Sequence, residues 1–177
     1  MKYFSLILLV AFSFFAPPEE EIVWSEAYRL TWKDFKGTPR YNTSVVAMTA
    51  SGISYDLSAT IRSENDIVVD YKVVASFYPD HSWYNPDRVD AVVLAHEQLH
   101  FDITELHARK FRKHLSEMLF TENVKREIKA IYNQINKELK KMQELYDSES
   151  DFSMNAEDQK EWQEKIKDQL DKLDAYK

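Results

Sequence analysis

The sequence predicts an α+β protein, with a mainly antiparallel sheet first and long helices after it. Two changes along the chain carry that expectation. Up to about residue 84 the apolar residues form strand-like runs, clearest where Val69, Tyr71 and Val73 alternate with Val68, Asp70 and Lys72. Beyond Pro86 they recur at steps of three and four. A third observation bounds the core. A chain of 177 residues that is 44% hydrophobic and 14% aromatic has enough apolar material for one packed domain, here residues 22–177.

Ile22-Val23-Trp24 is a short β-prone piece, and Leu30-Thr31-Trp32 is another, ended by the stretch from Lys33 to Gly37. Ser44 to Tyr55 is rich in Val, Thr and Ile, with Gly52 as a bulge or bend. Asn65-Asp66 marks a turn before the alternating run from Ile67 to Phe77, and Ser82-Trp83-Tyr84 adds a short edge strand. Pro86 or Asp87 starts the first helix, expected over 87–119, with Val89, Val92, Val93, Leu99, Ile103, Leu106, Phe111, Leu115 and Met118 as its apolar positions. Thr121 caps a second helix over 122–145, with a stripe of Val124, Ile128, Ile131, Ile135, Leu139, Met142 and Leu145. Tyr146 to Asn155 reads as a loop. A third helix from Ala156 carries Trp162, Ile166, Leu170 and Leu173 on one face.

The N-terminus has the form of an export signal. Lys2 precedes an apolar run from Tyr3 to Ala16, followed by Pro17-Pro18 and three glutamates. Residues 1–16 are therefore expected to be a signal peptide, with an uncleaved anchor as the alternative. The run is short for a membrane span, and no other stretch is apolar enough for one, so a secreted or periplasmic protein is expected. The absence of cysteine excludes disulfides, thiolate zinc sites and a lipoprotein anchor. A net charge of −7 argues against a nucleic-acid partner held on a general basic face. Two glycines, Gly37 and Gly52, cannot build a phosphate-cradling loop.

His96-Glu97-Gln98-Leu99-His100 reads H-E-x-x-H inside the first helix. Residues four apart share a helix face, so both imidazoles can meet one ion, and Glu97 sits where it can hold a water on that ion. Zn2+ with two histidines, a third ligand and an open position generates hydroxide near neutral pH. Glu97 is then the general base and proton shuttle, and a peptide or protein is the expected substrate.

The stretch from His96 to Arg109, H-E-Q-L-H-F-D-I-T-E-L-H-A-R, resembles a bacterial family of predicted secreted zinc-dependent proteases catalogued as a domain of unknown function. Leu30 to Gly37 is similar to its L-x-W-x-D-F-x-G opening, and Ser82-Trp83 to its S-W. The resemblance implies a zincin-like fold and a metalloprotease-type site. The chain departs from it at Tyr146-Asp147-Ser148-Glu149-Ser150-Asp151-Phe152-Ser153, where relatives tend toward Y-D-x-E-T-x-H-G. Phe152 stands for the His and Ser153 for the Gly. This departure motivates the alternative of a catalytically weak or inactive zincin-fold binding module.

The third ligand is narrowed by geometry. A short link at Phe120-Thr121 makes the first two helices an antiparallel hairpin, and equal rise sets His100 opposite about Lys141 and His96 opposite about Leu145. The loop after Leu145 then offers Asp147, Glu149 and Asp151. Asp147 is favoured because Tyr-Asp is retained from the family-like motif. Glu149 is the runner-up and Glu105 the fallback. Tyr146 is a candidate hydroxyl donor to the oxyanion. His107 is expected to be structural or to support a ligand from behind, and Asp102, Glu105 and Arg109 to form a polar network that orients the helix.

Overall fold

The structure, a computed structural model, describes residues 19–41, 43–63 and 66–177. The expected signal segment lies outside the described residues. Eight elements follow in order: β1 (Ile22–Val23), β2 (Ala47–Met48), β3 (Ser51–Ser63), β4 (Asp66–Phe77), β5 (Trp83–Tyr84), α1 (Ala91–Glu117), α2 (Val124–Glu149) and α3 (Ala156–Lys172). The fold is thus α+β, with an antiparallel sheet followed by three helices. No described helix is long and apolar enough to cross a membrane.

The long β3–β4 hairpin carries the sheet, and β1 pairs antiparallel with the end of β4. Its alternation is the one the sequence shows. Ile53, Tyr55, Leu57 and Ala59 face the core opposite Ala75, Val73, Tyr71 and Val69. On the outer face Asp56 stands opposite Lys72, a favourable cross-strand charge pair. Gly52 pairs regularly with Ser76; the irregularity falls instead between Ile61 and Ser63. A bulge at Gly52 was expected only because glycine often marks one.

β2 and β5 form a separate two-stranded ladder. Between them and β1 the expected strand at Leu30-Thr31-Trp32 is replaced by a single helical turn over Trp32–Asp34. Asp34 causes this: its carboxylate accepts from the Thr31 backbone N–H at 2.6 Å and from the Thr31 hydroxyl at 2.9 Å. The turn aims Leu30 and Phe35 into a small core with Phe77 and Phe101, while Trp32 stacks on Tyr84 with centroids 4.6 Å apart. Gly37 closes it. Its N–H donates to the Ser82 carbonyl at 2.8 Å, and a Cβ there would lie 2.8 Å from that same oxygen. The family-like L-x-W-x-D-F-x-G and S-W segments are therefore two halves of one packing unit.

α1 starts at Ala91 rather than at residue 87. Asp90 is its N-cap, accepting from the Val92 and Val93 N–H groups, because Asn85 to Arg88 is occupied by a turn. The helix is buried on most sides between sheet, α2 and α3. Two polar clusters hold it. Asp102 accepts from Trp24 Nε1 at 2.8 Å, Arg29 Nη1 at 2.9 Å and Gln98 Nε2 at 2.9 Å. Glu105 accepts from Arg109 Nε and Arg112 Nη1, both at 2.9 Å. The expected network is real but divided, with the Arg109 guanidinium joining the halves by lying 5.3 Å over the Trp24 ring. Glu105 and Arg109 are almost wholly buried. Glu105→Ala leaves two cations without their carboxylate and is expected to cost about 3 kcal/mol or more in chemical denaturation. A loss below about 1 kcal/mol would contradict this account.

His107 is structural, as expected. It is buried, and its Nδ1 donates to the Ile103 carbonyl at 2.9 Å. Burial pushes its pKa from 6.5 down to about 4 against the opposing effect of that bond. The neutral ring is the native form. The unfolded chain takes up the proton near pH 6.5, so this contribution is complete above pH 6.5 and is lost as the pH falls toward 4, by up to about 3 kcal/mol. In chelator-containing buffer, the protein compared at pH 7 and 4.5 is expected to lose more stability than His107→Leu does over the same interval. Parallel pH profiles would rule this out.

α2 ends four residues later than expected, at Glu149, and its N-cap is Asn123 rather than Thr121. Thr121 instead bonds Glu127 through its backbone N–H at 3.1 Å and through its hydroxyl. The inward stripe finishes on Tyr146, which is fully buried, while Leu145 is exposed. The run Asp147-Ser148-Glu149 looks like a loop because it is polar, yet it contains no glycine or proline to stop a helix. The stop comes at Asp151, Phe152 and Ser153, three successive residues with φ of 46°, 51° and 76°.

Candidate metal centre

α1 and α2 run as the expected antiparallel hairpin, with the register displaced by two residues. The Gln143 amide approaches the His100 carbonyl at 3.4 Å and the Thr104 hydroxyl at 3.2 Å, and Asp147 faces His96. The extra turn of α2 therefore brings Asp147 to the histidines from a helix rather than from a loop.

Three atoms converge. His96 Nε2 lies 3.1 Å from His100 Nε2, and Asp147 Oδ1 lies 3.1 Å from the first and 2.9 Å from the second. His96, His100 and Asp147 are a group that could hold a metal ion. The spacing fits. Ligand bonds of about 2.0–2.1 Å in a tetrahedron put ligand atoms about 3.3 Å apart. Three lone-pair atoms this close call for positive charge between them, and the electrostatics agree. Burial works against a charged His100, but the hydrogen bond to Asp147 and the charges of Glu97 and Asp147 outweigh it and raise its pKa. Burial alone would raise Asp147, yet its bonds to His100 and His96 hold it well below the usual carboxylate range.

Residues around the cluster fix the rings. The Tyr146 ring stacks on His96 with centroids 4.5 Å apart and meets His100 edge-on at 5.2 Å. Ser150 Oγ, buried at the helix end, donates to the Tyr146 carbonyl and lies 3.5 Å from His96 Nδ1. That placement favours a proton on Nδ1 and leaves Nε2 free as a donor to a metal. Sequence reasoning missed Ser150 and Gln143. Ser150 lies beyond the helix end that the apolar stripe predicts, and Gln143 lies within it but is polar and outside the stripe, with its i+4 spacing to Asp147 as the one available signal.

Glu97 lines the same cleft of about 690 Å³ as His96, His100, Gln143 and Asp147. Its backbone carbonyl accepts from the Thr49 hydroxyl at 3.1 Å, which ties the helix to the strand side of the cleft. That side is the segment Ser44 to Thr49, including β2. Trp83 and Tyr84 lie behind it, paired with Met48 and Ala47, so the edge bordering the cleft is β2 and not β5.

Two candidate ligands are removed and one role changes. Glu149 accepts from Trp162 Nε1 at 2.8 Å, and Glu105 is held by Arg109 and Arg112. Tyr146 is placed at the cluster but behind it. Its hydroxyl is buried without a partner, and the residue does not line the cleft. The oxyanion-donor expectation assumed a loop position, which the helix does not provide.

Fold and site together define a class: an α+β protein whose HExxH helix and neighbouring helix end converge two imidazoles and a carboxylate on one point. The chain belongs to the family described as "Bacterial protein of unknown function (DUF922)", which matches residues 27–155. That span takes in the packing unit at Leu30 to Gly37 and all three converging residues, and it stops before α3. No curated protein matches the chain, and no solved structure does.

Proposed function

We propose that the protein is an exported zinc-dependent peptidase of zincin-like fold. The observation that carries this is the convergence of His96 Nε2, His100 Nε2 and Asp147 Oδ1 beside Glu97 in an open cleft. Two histidines and one carboxylate are the donor set of hydrolytic zinc, which supplies Lewis acidity and lowers the pKa of a water when bound. Glu97 takes a proton from the attacking water and delivers it to the leaving amine. The Ser44–Thr49 segment offers main-chain groups along which an extended peptide can lie. The N-terminal apolar run supports export to the periplasm or beyond.

A second reading, a metal-loaded binding module without hydrolysis, is favoured by one feature: Tyr146 is buried and Phe152 brings no polar side-chain atom to the cleft. Zinc-replete protein tested on unfolded proteins and peptide libraries separates the two. Reproducible cleavage abolished by chelator supports the peptidase. Stoichiometric zinc with no cleavage supports the module.

A further inference from the structure

The loop that ends α2 is built to present apolar side chains. Phe152 is 62% exposed and Met154 81%, and both line the mouth of the metal cleft. Across from the helix side, Val45 and Met48 on the strand side are also exposed and line the same cleft. Large apolar side chains are normally scattered on a surface; four of them at one rim, above a polar floor, mark a binding site. The loop is also pinned. Phe152 N–H donates to the Asp147 carbonyl at 2.9 Å, Met154 N–H to Asp151 at 3.0 Å and Asn155 N–H to Ser150 at 2.9 Å. A left-handed φ of 51° at a bulky Phe is unusual, and the surrounding bonds hold it. The aromatic ring is thus displayed on a backbone already ordered, which lowers the entropy lost when something binds it.

We propose that Phe152 and Met154, facing Val45 and Met48, form an apolar jaw that selects an extended peptide carrying a bulky apolar side chain beside the bond presented to Glu97. The presented bond rests on the peptidase reading; the selection itself is a binding property and stands apart from hydrolysis. Phe152 is its main determinant, since it is the largest of the four and is rooted five residues from Asp147.

The test uses zinc-loaded Glu97→Gln protein and short labelled peptides, identical except for a central Phe, Leu, Ser or Glu. Phe and Leu peptides are expected to bind about tenfold more tightly than Ser and Glu peptides. Phe152→Asn, a residue that tolerates the left-handed backbone, is expected to reduce the difference to about twofold, with unchanged zinc content and thermal midpoint. Phe152→Tyr is expected to restore most of it. Equal affinities, no peptide binding, or full discrimination in Phe152→Asn would overturn the proposal. So would attachment to phosphatidylcholine vesicles that Phe152→Asn abolishes without any peptide discrimination. Wild-type protein is assayed for cleavage of the same peptides in parallel. Discrimination without cleavage leaves the jaw standing and removes the peptidase reading.

Discussion

Asp147→Ala is expected to weaken zinc binding by more than about a hundredfold, measured by competition against a chromophoric chelator. Loss of a residue that only orients a ligand costs about 10–100-fold, so a larger effect marks direct coordination. The geometry favours that outcome because Asp147 Oδ1 lies within 3.1 Å of both Nε2 atoms and nothing else described supplies a third donor at that point. Glu149→Ala is the internal control. It removes the bond from Trp162 Nε1 and is expected to cost about 1 kcal/mol of stability while zinc affinity stays unchanged. Unchanged zinc retention in Asp147→Ala would end the assignment and leave a site with two protein ligands.

Glu97→Gln is expected to retain zinc and to lower the rate of peptide hydrolysis by about 10³-fold, within the 10²–10⁴ that positioned proton transfer supplies. The substitution keeps size and removes basicity. The isosteric amide fills the same space at the cleft, so the helix packing is expected to stay intact. Full zinc content with activity near that of wild type would sink the role of Glu97 as base. Loss of zinc together with activity would instead show that Glu97 belongs to the coordination sphere.

The H-E-x-x-H spacing needed no structure to be read, since residues four apart on a helix share a face. Nor did the hairpin strands, whose period of two is visible from Ile67 to Phe77. Asp147 was reached through a wrong local picture. The polar run Asp147-Ser148-Glu149 reads as a loop after Leu145, but it belongs to a last helical turn that exposes only Ser148 and Glu149, buries Tyr146 and Ser150 and turns Asp147 toward the histidines. Apolar periodicity cannot register a turn that buries a hydroxyl and a phenol beside histidines. The turn at Trp32–Asp34 was illegible for a related reason. A single carboxylate bonding back to Thr31 overrode the strand preference of Leu-Thr-Trp. That Trp83 lies one strand behind the cleft is not legible either, because only the pairing of β2 with β5 places it there.

The converging trio draws two donors from α1 and one from the final turn of α2, so a captured cation is also a cross-link between distant parts of the chain. Ion capture and folding then become one coupled equilibrium. At free zinc a thousand times the dissociation constant, mass action adds about 4 kcal/mol to stability, a large share of what a domain of this size possesses. A chelator would act as a denaturant in all but name, with a melting temperature that tracks the zinc activity of the buffer. If the proposed export carries the chain unfolded across a membrane, the metal ion would be acquired on the far side, and the supply of zinc there would set how much protein matures.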